Sequence, residues 1–220
     1  MMTLSEFPSI DILERRLQSL AVLDAMLCPE WEYRYFSYDQ NWGTGETMGS
    51  IRDGSGDNVF ILFFEKGCFI KEFYHERPVL SDAYVPVPTA FAIATQEPAF
   101  SPENVTFCYW RSRVSDHWEM NGLNEQFNPE ISELLALVDG KPETYLRFAE
   151  DYYEKTIPQE MVIAVYEHQI LSASLLEQIS FTGEREKLQK DINQIGYPSD
   201  LPKLSSFRER VFAIFRSSGG

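Results

Sequence analysis

The chain reads as an α+β protein: an N-terminal helix, an antiparallel meander sheet of about five strands, then a C-terminal helical half. Three observations predict it. Apolar residues recur at three- and four-residue steps near the N-terminus, short alternating or wholly apolar runs separated by glycine turns fill residues 31 to 76, and the helical period returns after about residue 125 and persists. Strands grouped first and helices afterwards argue against an alternating, parallel-sheet fold. At 220 residues the chain is long enough to bury a sizeable core without staples. It is read as a single domain over 1–220, with a helix-plus-sheet portion at 1–125 and a helical portion at 126–220.

The first helix spans Ser9 to Leu27. Ser9 follows Pro8 as a candidate N-cap, Asp11 puts negative charge in the first turn, and Ile10, Leu13, Leu17, Leu20, Leu23 and Leu27 make one apolar face. Cys28-Pro29 ends it, because proline restricts the residue before it. From Trp31 the period changes: WEYRYFSY is aromatic and alternating, as strands prefer, which predicts Trp31, Tyr33 and Tyr35 on one face and Phe36 and Tyr38 on the other. Asp39 to Gly45 is a loop by composition. ETMGSIR leads into Asp53-Gly54-Ser55-Gly56, a tight turn, and NVFILFF is a near-continuous apolar run for a strand buried on both faces. Lys66-Gly67 reverses the chain into CFIKEFYHE, and NVTFCYWR supplies a further strand.

Residues 77 to 103 hold five prolines and no sustained period, which predicts a segment that hugs the sheet or carries a short helix near Ala90 to Ala94. After Asn121-Gly122 the pattern is helical. Pro129, Pro142 and Pro158 suit first helical turns, MVIAVY is assigned to a helix opened by Pro158, EREKLQKDINQI stops at Gly196-Tyr197-Pro198, and a last helix covers Ser205 to Phe215. The Ser217 to Gly220 tail reads as frayed.

Composition narrows the function. The chain carries 34 acidic against 19 basic side chains, a formal net charge of −15. That surplus opposes binding to a phosphate backbone, so nucleic acid is not an expected partner. No stretch approaches the ~18 apolar residues of a membrane span, and the N-terminus lacks a basic region followed by an apolar run, so neither a membrane nor a secretory route is expected. The three cysteines, Cys28, Cys68 and Cys108, form no CxxC and are odd in number. Free thiols in apolar segments suit a reducing compartment, and the expected location is the cytoplasm.

No catalytic signature is present: no GxSxG, no Walker loop, no GxGxxG after a strand. His75, His117 and His168 are far apart and lack HExxH spacing, so no metal site and no cofactor is expected. Asp39, Asn41 and Glu46 fail the spacing of a calcium loop. Asp53 and Asp57 flank a turn that composition alone explains, although with Arg52 beside them they can hold a polar ligand. His75, next to Glu76 and near Glu72, is the best acid–base candidate by residue type, with His117 second. The aromatic concentration is more telling. Trp31, Tyr33, Tyr35 and Trp42 crowd the first strand and its loop; they are core if both faces are covered and a binding surface if one is open.

Two stretches taken together carry a resemblance. Ser50-Ile-Arg-Asp-Gly-Ser-Gly-Asp57 followed by FILFFEKG, with the helical KPETYLRFAEDYYEK and the closing INQIGYP, resembles an uncharacterised family of bacterial cytoplasmic proteins of similar length. The resemblance brings no activity and no functional residues with it. In type rather than motif, the chain is similar to the small acidic immunity proteins of bacterial toxin systems.

The sequence therefore supports a non-enzymatic acidic binding protein, an immunity-type inhibitor of a basic toxin, with Trp31, Tyr33, Tyr35, Trp42, Asp53 and Asp57 at the interface and a basic protein as partner. The alternative is a small-ligand binder or hydrolase-like enzyme with a pocket near the 52–76 hairpin, using Arg52, Glu72 and His75.

Overall fold

The computed structural model describes residues 2–121, 131–178 and 183–201. Helix α1 (Ile10–Leu27) starts after an extended Ser9, whose carbonyl accepts the Leu13 amide at 2.9 Å; the Ser9 side chain makes no capping bond. The predicted leucine stripe is buried, but so is every residue from Ser19 to Leu27. Ala21, Val22, Ala25 and Met26 make the back of the helix apolar as well. A helix that is apolar all round belongs in an interior, and the second half of α1 is the central element of the molecule.

Six antiparallel strands follow one another in space as they do in sequence: β1 (Phe36–Gly43), β2 (Glu46–Arg52), β3 (Asn58–Phe64), β4 (Gly67–Phe73), β5 (Phe107–Ser112) and the two-residue β6 (Glu119–Met120). The α+β class and the meander are as the sequence predicts, with one strand more. The register places Phe36, Ile51, Val59, Glu72 and Phe107 in one row across the sheet, and Ser50, Phe60, Lys71 and Cys108 in a neighbouring row on the opposite face.

Each face has its own cover. Helices α1, α3 (Glu133–Ala136), α4 (Pro142–Tyr153), α5 (Gln159–Tyr166), α6 (Ala173–Glu177) and α7 (Arg185–Ile195) contribute to the core that holds Phe36, Ile51, Ile61 and Ile70. The proline-rich segment lies over the other face, where Ala83, Phe91, Phe100 and Val105 pack on Leu62, Phe69 and Trp110. Its short helix α2 (Ala92–Thr95) lies close to the predicted place. MVIAVY is helical, within α5. Close approach is built in at Gly49, where a Cβ would stand 2.9 Å from Leu17 Cδ1 of α1.

The entry to the sheet departs from the sequence reading. The strand expected from Trp31 starts at Phe36; Trp31–Tyr33 is a single 3₁₀ turn. The cause lies in what this stretch bonds to. Arg34 turns back to the carbonyls of Cys28 at 2.7 Å and Pro29 at 3.1 Å, and the amides of Tyr35 and Phe36 donate to the Asp24 carboxylate. Those amides are thus satisfied without a strand partner. Conversely, the polar stretch read as a loop continues β1 to Gly43, with a break in register between Asp39 and Gly43 and a turn at Thr44-Gly45. Its polar residues suit the open edge of a sheet. Pro129, the helix expected at Ser205–Phe215 and the Ser217–Gly220 tail lie outside the described residues. Among the described residues, no helix is long and apolar enough to cross a membrane.

Candidate functional site

Because Trp31–Tyr33 is a turn rather than a strand, its rings are held outward. Trp31 is 50% exposed and Tyr33 64%, and Tyr152 at the end of α4 adds a third ring at 40%. The two tyrosines are joined by contact: the Tyr152 hydroxyl donates to the Tyr33 carbonyl at 3.4 Å, and Tyr35 packs edge-on against Tyr152 with centroids 5.2 Å apart. Tyr35 itself is half-buried against Phe148. The sequence-predicted aromatic set thus divides, with Trp31 and Tyr33 on the surface and Tyr35 beneath them.

The Asp53–Asp57 turn borders this surface. The Asp53 carboxylate accepts the amides of Ser55, Gly56 and Asp57 and the Ser55 hydroxyl, and these bonds hold it below its ordinary carboxylate value even against some burial. Gly54 and Gly56 take the positive φ values the turn requires. A Cβ on Gly54 would stand 3.6 Å from the Tyr152 hydroxyl, which places the turn beside the aromatic ridge. Arg52 stacks on Trp31 with its guanidinium carbon 3.9 Å from the ring centroid, and its Nε and one terminal nitrogen are buried without a hydrogen-bond partner. Exposed Glu30, Glu32 and Glu76 and the half-buried Asp53 and Asp57 give the region a negative rim.

The proposed acid–base residues separate. Asp57 accepts from the His75 backbone amide at 2.8 Å and lies 2.7 Å from His75 Nδ1, which raises the histidine above its ordinary value. The His75 Nε2 atom faces outward, 3.9 Å from Glu76. This pair can hold and relay a proton at the surface. Glu72 is elsewhere: it alternates with Ile70 and Cys68, so it points into the helix-covered core. It is fully buried, accepts from Ser132 and from Tyr109 at 3.3 Å, and burial pushes it up to about 7. The structure does not bring Glu72 and His75 into one pocket. His117 pairs with its neighbour Asp116 at 2.9 Å on the surface, and His168 Nε2 lies 3.0 Å from the Arg15 carbonyl.

Three buried ionisable groups escaped the sequence reading. Asp24 sits on the apolar stripe of α1, where its carboxylate accepts from Tyr35 N, Phe36 N, Tyr145 Oη and Tyr153 Oη at 2.7–2.9 Å. Burial nevertheless raises it to about 6. The signal was available: Asp24 falls four residues after Leu20 and three before Leu27. Lys71, on the other face from Glu72, donates to the Phe100 carbonyl at 2.7 Å and is lowered by burial to about 8. Arg34 is buried and bonded to Asp191 of α7 at 2.6 Å.

That last ion pair lies in the wall of a cleft of about 350 Å³ between β1, α1 and α7. Trp31 and Trp42 both line it, so Trp42, distant in sequence from the Asp53–Asp57 turn, is tied to the aromatic surface through Trp31. Among the described residues, no three His, Cys, Asp or Glu side chains converge to hold a metal ion. Comparison with protein-family models, curated proteins and solved structures found no match.

Proposed function

We propose that the chain is a non-enzymatic binding protein, an immunity-type inhibitor that seats a basic protein toxin on the surface formed by Trp31, Tyr33 and Tyr152 and bordered by Asp53 and Asp57. The observation that carries this reading is the outward presentation of Trp31 and Tyr33 on a short turn fixed from below by Arg34 and Asp24. Rigid tyrosine and tryptophan rings lose little conformational freedom on binding and dominate interface energetics. Arg52, stacked on Trp31 with unpaired donors, adds the third side chain common at such centres. A net charge of −15 favours encounter with a basic partner and gives the complex a steep dependence on salt.

Affinity capture from the native cell at low salt tests it, with the wild-type chain and a Trp31→Ser/Tyr33→Ser double variant run in parallel. The expected result is a stoichiometric basic protein that leaves as salt rises and whose recovery falls at least roughly tenfold on the variant. Equal recovery on both baits would remove the aromatic surface from the account.

A second reading, a hydrolase-like or ligand-binding site on the 52–76 hairpin, is favoured by one observation, the 2.7 Å contact between Asp57 and His75 Nδ1. An activity of the wild-type chain that Asp57→Asn abolishes without loss of folding would support it; an unchanged rate would dismiss it.

A further inference from the structure

We infer that the cleft between β1, α1 and α7 receives an organic monocation, the guanidinium or ammonium head of an arginine or lysine side chain carried by the basic partner. The inference rests on the reading above only in naming a protein as the carrier; the cleft's own chemistry supplies the rest.

The cleft measures about 350 Å³, at the small end of the range of about 300–1,000 Å³ for sites that hold small organic groups. Its walls combine Trp31, Trp42 and Met48 with Ser37, Asp39 and Asp191. Arg34 also reaches it, but that guanidinium is already committed to Asp191 and to the carbonyls of Cys28 and Pro29. The Arg34–Asp191 pair cancels within itself and leaves Asp39 as the uncompensated charge. Asp39 accepts one neutral donor on each oxygen, the Asn41 amide at 2.8 Å and Gln194 Nε2 at 2.9 Å. Each carboxylate oxygen keeps further acceptor capacity. Among the described residues no cationic side chain pairs with Asp39.

These features select against other occupants. An anion would meet Asp39 and the negative field of the chain. A purely apolar group would strip water from Asp39 and return nothing to it. A cation on an aliphatic stem satisfies both halves of the wall, with its stem against Met48 and the indoles and its head at Asp39. Trp31 already carries one stacked guanidinium, that of Arg52, so this corner of the molecule accommodates such a group. A protein is the favoured carrier because the cleft shares Trp31 with the exposed aromatic surface, which puts both within reach of one partner.

The test titrates N-acetyl-arginine amide into the full chain and follows the indole N–H resonances, with the neutral isostere N-acetyl-citrulline amide as control. The four tryptophans provide an internal reference, since Trp110 and Trp118 are buried away from the cleft lining. The expected result is saturable movement of the Trp31 and Trp42 signals with arginine, none with citrulline, and a loss of affinity of roughly tenfold in Asp39→Asn. A thermal melt of Asp39→Asn, and Trp42→Leu as a second variant, separate loss of the site from loss of the fold. No saturable movement, an equal response to citrulline, or an unchanged Asp39→Asn would overturn the inference. If the analogue binds and cellular capture is blank, the cation site stands and the protein carrier is overturned. If capture succeeds and the indoles do not move, the cleft is overturned and the aromatic interface stands.

Discussion

Replacing Asp24 with alanine is expected to cost about 4 kcal/mol of folding stability near pH 5. The change orphans the Phe36 amide, leaves Tyr35 N with only its longer bond to Tyr153 Oη at 3.1 Å, and removes the acceptor of two hydroxyls, Tyr145 Oη and Tyr153 Oη. An unsatisfied buried donor costs roughly 1–3 kcal/mol, and the two hydroxyls can in part reorient, so the amides set the larger share. The effect also has a pH dependence. Burial raises the Asp24 carboxyl from 3.8 to about 6, so the folded chain holds this proton more tightly than the unfolded one. Between those values the native state binds more protons, and the wild type loses stability as pH rises. The loss is on the order of 3 kcal/mol once both states are ionised. The alanine variant lacks this titration, so its deficit should be largest at about pH 4 and shrink toward pH 7. Urea unfolding of both chains across that interval reads the difference; a deficit that grows with pH would contradict the burial argument.

Replacing Glu72 with glutamine should act in the opposite direction at neutral pH. Glutamine keeps an acceptor for Ser132 or Tyr109 and removes a carboxyl that burial raises from 4.5 to about 7. Below pH 4.5 the wild-type group is protonated in both states and carries no penalty. As pH rises through 4.5 to 7 the unfolded chain ionises first and the wild type loses stability. Relative to wild type, Glu72→Gln should therefore gain on the order of 3 kcal/mol between about pH 4.5 and pH 8. A Glu72→Gln chain with the same pH profile as wild type would show that this carboxyl titrates as an ordinary surface group. Both carboxyls join the sheet to helical segments, Asp24 through α1 and α4 and Glu72 through Ser132 at the start of α3.

Local periodicity was enough to read much of the fold. The three- and four-residue leucine spacing located α1, glycine turns located the hairpins, and Pro142 and Pro158 marked the openings of α4 and α5. The start of β1 was not legible, because it is set by a long-range partner: the Asp24 carboxylate takes the Tyr35 amide that pairing with β2 would otherwise use, and the outward-facing Phe36 amide beside it. The five prolines of residues 77–103 pointed to a segment that hugs the sheet, but which residues make the contact was not legible, since it packs through scattered residues such as Phe91 and Phe100 without a period. For the site, the aromatic cluster was visible, and its exposure was not. Exposure turned on whether Trp31 and Tyr33 were strand or turn residues. The separation of Glu72 from His75 was legible in principle, because two-residue alternation with Cys68 and Ile70 aims Glu72 inward. The cleft depends on Trp42 and Asp191, far apart in sequence, and only the packing of α7 on β1 brings them together.

The proposed partner would sit on the Trp31–Tyr33 turn, and site-specific photocrosslinking tests that placement most directly. A photoreactive phenylalanine analogue replaces Tyr33 in one chain and Val114, an even more exposed apolar residue outside the proposed surface, in another. In the native cell, position 33 is predicted to give one dominant adduct with a basic protein, displaced by excess unlabelled wild-type chain, while position 114 gives none. Equal adducts at both positions, or an adduct at 114 alone, would contradict it.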